Sequence, residues 1–264
     1  IRKLAPFAKP INTMLESYGA RFHSSADYVT TPTQSAIDMF AHKMKDMEVP
    51  VEAVSNGIDL SVFSPDTPSQ KLYTKYRLPT DRPVLLYVGR LDAEKHLSVL
   101  IQAAAKVIQK IDAHLLIVGQ GNERSRLGEL ARGLGIEHKI TFTGKVSNED
   151  LPQIYRIGTV FCMPSPAELQ SIVMLEAMAT GSPVVAVNAG ALAELCHDGK
   201  NGYLFKYDDD SMMAAAIVKI LTNPKLRAKM LKESLAIAKT HDINYTLDRF
   251  EAIYKKLIKD KKAN

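Results

Sequence analysis

Cysteine is scarce in this sequence, which argues against a disulfide framework and a cysteine-rich metal site. Cys162 and Cys196 are the two cysteines among 264 residues, and their spacing is not that of metal ligands. Both lie in apolar stretches, so we expect buried free thiols and a reducing compartment. The seven histidines are scattered, also without ligand spacing. We therefore predict no metal site.

Long apolar runs are missing too. No stretch approaches the roughly 18 residues of a membrane span, and no signal peptide opens the chain. These absences predict a cytoplasmic protein. The chain begins at Ile1 and not at methionine, which we interpret as the start of a fragment.

The charge is moderately basic, at +5 with a pI of about 9.0. This balance suits nucleic acid, an anionic membrane surface or a phosphorylated substrate. Arginine-rich helices and basic–aromatic alternation are absent, so we predict no nucleic-acid partner. One interpretation of the C-terminal lysines is a solvated helix end, and the other is peripheral attachment to the inner membrane face. These lysines are Lys255, Lys256, Lys259, Lys261 and Lys262.

Short apolar runs alternate with amphipathic stretches from Pro83 onward. The predicted strands are Val84–Val88, Ala113–Val118, Lys139–Phe142, Val160–Met163, Val184–Val187 and Tyr203–Phe205. Several are apolar throughout, as in strands buried on both faces of a parallel sheet. Helical stripes between them, at Leu97–Ile108 and Ser211–Leu221, complete a repeated strand–helix order. The pattern predicts an α/β fold with an open, doubly wound, mostly parallel, Rossmann-like sheet.

The flanking segments predict additional parts. A helix at Ile11–Ser25, a strand at Ala26–Thr31, a helix at Thr33–Met44 and a strand at Val51–Val54 form a set too small for a core of its own. We interpret residues 1–52 as the tail of a preceding domain and residues 53–240 as the main domain. Two further helices are predicted, at Pro224–Lys239 and Ile243–Lys259. Residues 241–264 are interpreted as a C-terminal helix that packs on the missing domain.

Ligands of open α/β sheets bind where the strands end. After Val84–Val88 come Gly89, Arg90 and Lys95, with a helix expected from about His96. Two cations at a helix N-terminus are unfavourable unless an anion joins them, and a diphosphate satisfies that need. The alternative is a solvated basic loop.

A second glycine-rich turn, Gly119-Gln120-Gly121, follows Ala113–Val118. It lacks the third glycine of the dinucleotide fingerprint, so a nicotinamide or flavin site is weakly supported. Taken alone, the motif is more typical of a plain tight turn.

Two glutamates follow Val160–Met163. Glu168 precedes the predicted helix and Glu176 lies in its early turns. The intervening backbone N–H groups are suited to a phosphate, and a buried Glu176 would need hydrogen-bond donors such as ribose hydroxyls. The alternative for Glu168 is a capping box with Ser165.

The acidic triplet Asp208-Asp209-Asp210 contains Asp-x-Asp, a pattern that can hold a divalent metal. It directly precedes the predicted helix Ser211–Leu221, where acidic residues cap the helix and suit its dipole. We predict a cap and no metal.

The ordered motifs resemble the family-4 retaining glycosyltransferases of the two-Rossmann-domain, GT-B type, in their C-terminal donor-binding half. The resemblance spans about Asn56 to Leu221 and rests on Asn-Gly-Ile-Asp, Val-Gly-Arg…Lys, Val-Gly-x-Gly, Pro-Ser-x-x-Glu-x7-Glu-Ala-Met-Ala-x-Gly-x-Pro-Val-Val, Gly-Ala-Leu-Ala-Glu and Asp-Gly-x-Asn-Gly. It implies transfer of a sugar from a nucleotide diphospho-sugar, most often a UDP-sugar, with retained configuration. The nucleotide-sugar is a co-substrate, and no metal or other cofactor is implied.

The resemblance also implies roles for single residues. Arg90 and Lys95 would bind the diphosphate and stabilise the leaving nucleotide. Glu168 would hold sugar hydroxyls and Glu176 the ribose. The other implied donor contacts are Gly89, Gly119, Gly121, Val146 at the base edge, and the backbone N–H groups of Ser171, Ile172 and Val173. A missing N-terminal domain would bind the acceptor, a lipid or another saccharide, so this chain alone would be of low activity.

One segment departs from the family pattern. Leu169-Gln170-Ser171 stands where the family usually has Gly-Phe-Gly, which limits how closely the backbone approaches the sugar. Besides the glycosyltransferase, two alternatives stay open. The departure favours a non-catalytic nucleotide-sugar-binding module. A phosphorylase or sugar-nucleotide epimerase of the same architecture is disfavoured by the order of the motifs.

Overall fold

The computed structural model describes residues 25–44 and 49–263, which form two compact units. The described residues of the first unit are 25–44, 49–55 and 246–263, and the second unit comprises residues 56–245. The helix predicted at Ile11–Ser25 lies outside the described residues except for Ser25. Within the described part of the chain, no helix combines the length and apolarity that a membrane crossing requires.

The described part of the first unit begins with a strand–helix–strand motif. Strands β1 (Val29–Thr31) and β2 (Val51–Ala53) pair in parallel, and helix α1 (Gln34–Met44) connects them. The side chain of Thr33 accepts a hydrogen bond from the N–H of Ala36 at 3.1 Å, so it caps the first turn of α1. The predicted order of these three elements is confirmed.

The second unit contains a six-stranded sheet in the order β5-β4-β3-β6-β7-β8, with every neighbouring pair parallel. The strands are β3 (Val84–Val88), β4 (His114–Val118), β5 (Ile140–Gly144), β6 (Val160–Met163), β7 (Val184–Val187) and β8 (Gly202–Phe205). The strand order reverses between β3 and β6, which is the switch point of a doubly wound sheet. The predicted Rossmann-like fold is confirmed, with all six strands at the predicted positions to within two residues.

Helices connect and flank these strands. They are α2 (Gln70–Tyr76), α3 (Leu97–Ile108), α4 (Arg124–Gly133), α5 (Leu151–Ile157), α6 (Ile172–Ala179), α7 (Leu192–Leu195), α8 (Asp210–Leu221) and α9 (Pro224–Lys239). The last helix, α10 (Ile243–Ala263), belongs to the first unit from residue 246 onward. One-turn 3-10 helices lie at Ala93–Lys95 and Glu137–Lys139. The predicted helix at Pro224–Lys239 is confirmed at both ends, and the last helix continues four residues beyond its predicted end.

The core lies around the two central strands. Every residue of β3, β4, β6 and β7 is buried, which explains why these strands are apolar almost throughout. His114 is the polar exception, and its Nε2 lies 2.9 Å from Thr141 Oγ1. Cys162 and Cys196 are free and buried as predicted, and burial raises the pKa of the Cys196 thiol to about 12.

The acidic triplet begins a helix, as predicted. The side chain of Asp209 accepts a hydrogen bond from the N–H of Met212 at 2.8 Å and caps α8. Asp210 pairs with Lys106 at 2.8 Å, which ties α8 to α3. The carboxylates of Asp209 and Asp210 are therefore engaged within the fold.

Candidate functional site

Two adjoining clefts lie at the carboxyl ends of the strands, the first at the ends of β3, β4 and β5 and the second at the switch point between β3 and β6. The first has a volume of about 300 Å³ and is lined by Val88, Gly89, Arg90, Val118, Gly119, Gln120, Lys145, Val146, Asn148 and Leu151. The second has a volume of about 230 Å³ and is lined by Tyr87, Val88, Gly89, Arg90, Lys95, Met163, Glu168, Gln170, Ile172 and Val173. We call them the nucleoside cleft and the diphosphate cleft, for the roles proposed below.

Glycines bring the loops after β3 and β4 into backbone contact. A Cβ on Gly119 would lie 1.9 Å from the carbonyl oxygen of Gly89, and a Cβ on Gly121 would lie 2.5 Å from the carbonyl carbon of Leu91. The N–H of Leu91 donates to the carbonyl of Gln120 at 3.0 Å, so the pairing continues past the strands. We expected these glycines to allow close approach of a ligand. In the structure, they allow close approach of the neighbouring loop. Gly121 lines neither cleft, and its contact with a donor stays a prediction.

Arg90 lies between the two clefts and lines both. Its side chain is 65% exposed and forms ion pairs with Asp92 and Glu94 of its own loop. Exposed pairs of this kind contribute little, typically about 0–1 kcal/mol, so an incoming anion can compete for the guanidinium. Two carboxylates next to Arg90 were not part of the sequence interpretation.

Lys95 and Glu168 form an ion pair across the switch point. Lys95 Nζ lies 2.8 Å from Glu168 Oε1, and the two side chains are 14% and 15% exposed. Both residues were predicted to belong to the site, Lys95 as a contact of the diphosphate and Glu168 as a contact of the sugar. The pair joins the loop after β3 to the segment after β6, so a carboxylate and an ammonium line the same wall of the diphosphate cleft.

Helix α6 begins beside this pair. Ile172 and Val173 are its first two residues and line the diphosphate cleft, and first-turn N–H groups have no partner within their own helix. Ser171 is buried before the helix, and its hydroxyl has no hydrogen-bond partner among the described residues. The helix N-terminus therefore presents partial positive charge to the cleft.

The capping-box alternative for Glu168 is wrong. The helix begins at Ile172, so Ser165 lies six positions before the capping residue Ser171. Ser165 is buried with an unpartnered hydroxyl, and Glu168 pairs with Lys95 instead. The main-chain carbonyl of Glu168 accepts a hydrogen bond from the N–H of Ala191 at 3.4 Å.

Glu176 is held by a buried tyrosine. The hydroxyl of Tyr155 donates a hydrogen bond to Glu176 Oε2. Burial raises the pKa of the Glu176 carboxyl, and the bond from Tyr155 acts in the opposite direction. Burial also raises the pKa of Tyr155 far above its usual value. Glu176 lines neither of the two clefts, so its predicted contact with a ribose stays a prediction.

Several cleft residues were not foreseen as site residues. Asn148 and Leu151 join the predicted Val146 in the nucleoside cleft, and Tyr87 and Gln170 line the diphosphate cleft. The hydroxyl of Tyr87 donates to the carbonyl of Arg90 at 3.0 Å, and burial raises its pKa. Position after a strand end was the available signal for Asn148, whereas Tyr87 reads as an ordinary core residue.

The segment that departs from the family pattern is anchored by its glutamine. Gln170 is buried, and its Oε1 accepts a hydrogen bond from the N–H of Asn56 at 2.9 Å. Leu169 is 46% exposed. Gln170 stands where the family usually has phenylalanine, the middle residue of Gly-Phe-Gly. Its hydrogen bond to Asn56 therefore anchors the segment beside Glu168.

The family model for glycosyl transferases group 1 matches residues 69–235. The chain belongs to this family. Alpha-D-kanosaminyltransferase of Streptomyces kanamyceticus is 32% identical over 179 residues, which cover 67% of this chain and 46% of that protein. The chain spans about half the length of the curated relatives it matches.

Solved structures agree with the fold. The sucrose-phosphate synthase of Thermosynechococcus elongatus superposes with a TM-score of 0.82 at 25% identity and covers 93% of this chain and 62% of its own. Anabaena HepE in complex with UDP-glucose gives a TM-score of 0.79 at 24% identity, covering 88% of this chain and 64% of its own. These neighbours are GT-B glycosyltransferases, so the predicted resemblance is confirmed at the level of family and fold.

Proposed function

We propose that residues 56–245 bind a nucleotide diphospho-sugar, a UDP-sugar, for glycosyl transfer with retained configuration by the whole protein. The observation that carries the proposal is the meeting of Arg90, Lys95 and the first turn of α6 at one cleft on the switch point. Two cations and a helix N-terminus at one place are suited to a diphosphate.

The two clefts divide the donor between them. The nucleoside cleft takes the base against Val146 and the turn at Gly119, and the diphosphate cleft takes the phosphates and the sugar. Arg90 and Lys95 stabilise the negative charge that develops on the departing diphosphate. Glu168 Oε1 is held by Lys95, so its other oxygen is oriented to accept from sugar hydroxyls. Glu176 accepts from the ribose.

Retention is part of the proposal and rests on the resemblance to the retaining family. The bond between the anomeric carbon and the phosphate oxygen breaks, and the acceptor oxygen bonds to the same face of the sugar. The leaving phosphate takes the acceptor proton, so no protein nucleophile is required. Anabaena HepE, whose structure contains UDP-glucose, supports the choice of a UDP-sugar.

Metal independence is part of the proposal. Other glycosyltransferases hold a divalent ion with Asp-x-Asp, but here Asp209 caps α8 and Asp210 pairs with Lys106. Donor binding should therefore survive a chelator. Loss of binding in chelator, restored by manganese or magnesium, would overturn this part.

We propose that a second Rossmann-like domain binds the acceptor and that residues 1–52 are the tail of that domain. Two parallel strands joined by a helix, as in β1–α1–β2, form the repeating unit of such a sheet. We propose a lipid or another saccharide as acceptor and the cytoplasm as location, in line with two buried free thiols. Attachment to the inner membrane face is testable by sedimentation with anionic vesicles, where binding that ignores lipid charge and salt would exclude it.

A donor panel tests the proposal. The chain is titrated with UDP, GDP and ADP sugars by calorimetry, and UDP-sugars should bind most tightly. The double substitution R90A/K95A should remove this binding, whereas K110A, an exposed lysine outside both clefts, should not change it. Absence of binding for every nucleotide-sugar would overturn the proposal.

A non-catalytic nucleotide-sugar-binding module is the second candidate. It is favoured by Gln170, which fixes the segment beside Glu168 through Asn56. The chain joined to its acceptor-binding half should hydrolyse or transfer the donor sugar. Tight donor binding without turnover in that longer protein would favour the module.

A further inference from the structure

A third cavity lies at the amino ends of β3, β4 and β5, whereas the two clefts lie at the carboxyl ends of the strands. It has a volume of about 340 Å³ and is lined by Arg77, Leu78, Pro79, Arg82, His114, His138 and Lys139. These residues lie just before β3, at the first residue of β4, and just before β5. None of the lining residues is acidic, and five of the seven are basic. We call it the amino-end cavity.

Two of its cations are more buried than their counter-ions. The side chains of Arg82 and Lys139 are 23% and 22% exposed. Asp112, which pairs with both, is 59% exposed, and Asp81, which pairs with Arg82, is 66% exposed. One carboxylate is thus shared by two cations, and the carboxylates lie towards solvent. Water screens exposed charges more than shielded ones. The shielded cations should therefore attract an anion in the cavity more strongly than the exposed carboxylates repel it.

The remaining polar groups add to the positive potential. Arg77 ends α2 in the left-handed conformation, with φ 54°, and forms no ion pair within the described residues. His138 lies in the 3-10 turn beside Lys139 and is exposed. With Arg77, Arg82 and Lys139 against Asp81 and Asp112, three positive charges face two negative ones. The cavity keeps a surplus of positive charge before its histidines are counted.

The floor of the cavity is a buried imidazole. His114 is 7% exposed, and its Nε2 lies 2.9 Å from Thr141 Oγ1. Burial, followed by the charges of Arg82 and Lys139, lowers the pKa of His114 to about 4. The ring is therefore neutral at neutral pH and contributes hydrogen bonding and not charge. An anion in the cavity would offset both neighbouring cations.

We propose that the amino-end cavity is a second anion site that takes a small phosphorylated ligand, separate from the donor clefts. Arg82 donates to Asp81 through Nε and Nη2 and to Asp112 through Nη1. Two of its five N–H groups are left, and together with Arg77 and Lys139 they match the oxygens of a phosphate group. The volume admits a phosphate with a small organic part, and Leu78 and Pro79 provide apolar contact for that part. The site goes beyond donor binding and does not depend on it.

The histidines of the chain report on the two sites separately. His138 and His114 line the amino-end cavity, whereas His96 follows Lys95 at the diphosphate cleft. In proton NMR at constant ionic strength, inorganic phosphate and then glycerol phosphate should shift the His138 and His114 ring signals saturably. UDP should shift His96 and leave those two in place. If UDP fails to bind, the donor proposal fails and the phosphate titration still stands.

Matched variants decide whether the cations are responsible. R77N removes the guanidinium while keeping a residue that tolerates the left-handed conformation, and K139Q removes the lysine charge. Each should weaken phosphate binding about fivefold, the scale of a partly exposed charge pair. K110Q, an exposed lysine outside the cavity, should not change it. R77N changes an exposed side chain, so it serves if K139Q folds poorly.

The proposal is overturned by any of three outcomes. The first is the absence of a saturable shift at His138 and His114. The second is an equal shift with chloride at matched ionic strength, which means general screening. The third is an equal loss of affinity in K110Q and R77N, which means nonspecific attraction to the whole chain.

Discussion

Lys95 Nζ lies 2.8 Å from Glu168 Oε1, and this pair joins the two halves of the sheet at the point where the strand order reverses. Lys95 can approach a phosphate while it remains bonded to Glu168, because an ammonium has three donors. The carboxylate in turn keeps the ammonium in place before any ligand arrives. The pair therefore orients both groups in advance.

The cations provide the first prediction. K95A and R90A should each weaken UDP-sugar binding by about 1.5–3 kcal/mol, the scale of a hydrogen bond to a charged group. R90A should leave stability unchanged because its ion pairs are exposed. K95A should lower stability by about 1–3 kcal/mol, because Glu168 is left shielded without its partner. Calorimetry and thermal unfolding measure the two effects, and unchanged affinity in the double variant would reject the diphosphate assignment.

The two glutamates separate sugar from nucleotide. E168Q should reduce affinity for UDP-sugar and spare affinity for UDP, because only the sugar is expected to contact position 168. E176Q should weaken both ligands to a similar extent, since the ribose is common to them. Competition binding with UDP and UDP-glucose distinguishes the patterns, and the reverse pattern would exchange the two assignments.

Tyr155 should act as a positioning residue for Glu176. Y155F keeps the ring contacts with Phe63 and Phe161 but removes the hydroxyl that donates to Glu176. That bond lowers the pKa of Glu176, so its loss should raise the pKa further. A protonated carboxyl accepts ribose hydrogen bonds poorly. As the pH is lowered, Y155F should therefore lose affinity for UDP at a higher pH than the wild type does. A purely structural role would lower stability and leave the pH profile of binding in place.

Backbone contact makes Gly119 intolerant of any side chain. G119A should cost about 3 kcal/mol or more, because the Cβ meets Gly89 and the residue has φ +133°. Gly133 is a matched control, since a Cβ there meets nothing within 4 Å. G133A should stabilise the helix α4 by up to about 1 kcal/mol. Chemical denaturation of both variants is the measurement, and similar stabilities would contradict the loop contact.

His114 should make stability depend on pH. Its pKa is lowered from the usual 6.5 to about 4 in the folded chain, chiefly by burial. The unfolded chain then binds the additional proton below pH 6.5, so stability is fully present above that pH and falls towards pH 4. The loss is at most about 3 kcal/mol. H114Q, which can still bond Thr141, should flatten this part of the profile, and an unchanged slope would show that other groups cause it.

The fold was largely predictable because the central strands are buried on both faces. Runs such as Val84–Val88 and Val184–Val187 show that burial directly in their residue types, and Pro224 marks a helix start. Site membership of Arg90, Lys95 and Glu168 was also predictable, since each follows a strand end. The ion pair between Lys95 and Glu168 was not predictable. The two residues are 73 positions apart, and no local pattern specifies which loops meet.

The local error at Ser165 has a physical cause. Ser-x-x-Glu is a capping box only where a helix begins at once, and here the chain passes through bends before the helix begins at Ile172. The main chain is held there by a tertiary contact, since the carbonyl of Glu168 accepts from the N–H of Ala191. A contact with a residue 23 positions away overrides the local preference.

The glycine contact between the loops after β3 and β4 also limits which substitutions this part of the chain tolerates. Because Gly119 and Gly121 leave no room beside Gly89 and Leu91, that wall has one permitted backbone path, and a substitution on one loop requires a matching one on the other. In the segment after β6, the side chain of Leu169 is 46% exposed. Engineering of the sugar preference should therefore begin with side chains after β6, because a side chain at either glycine would displace the backbone of the neighbouring loop.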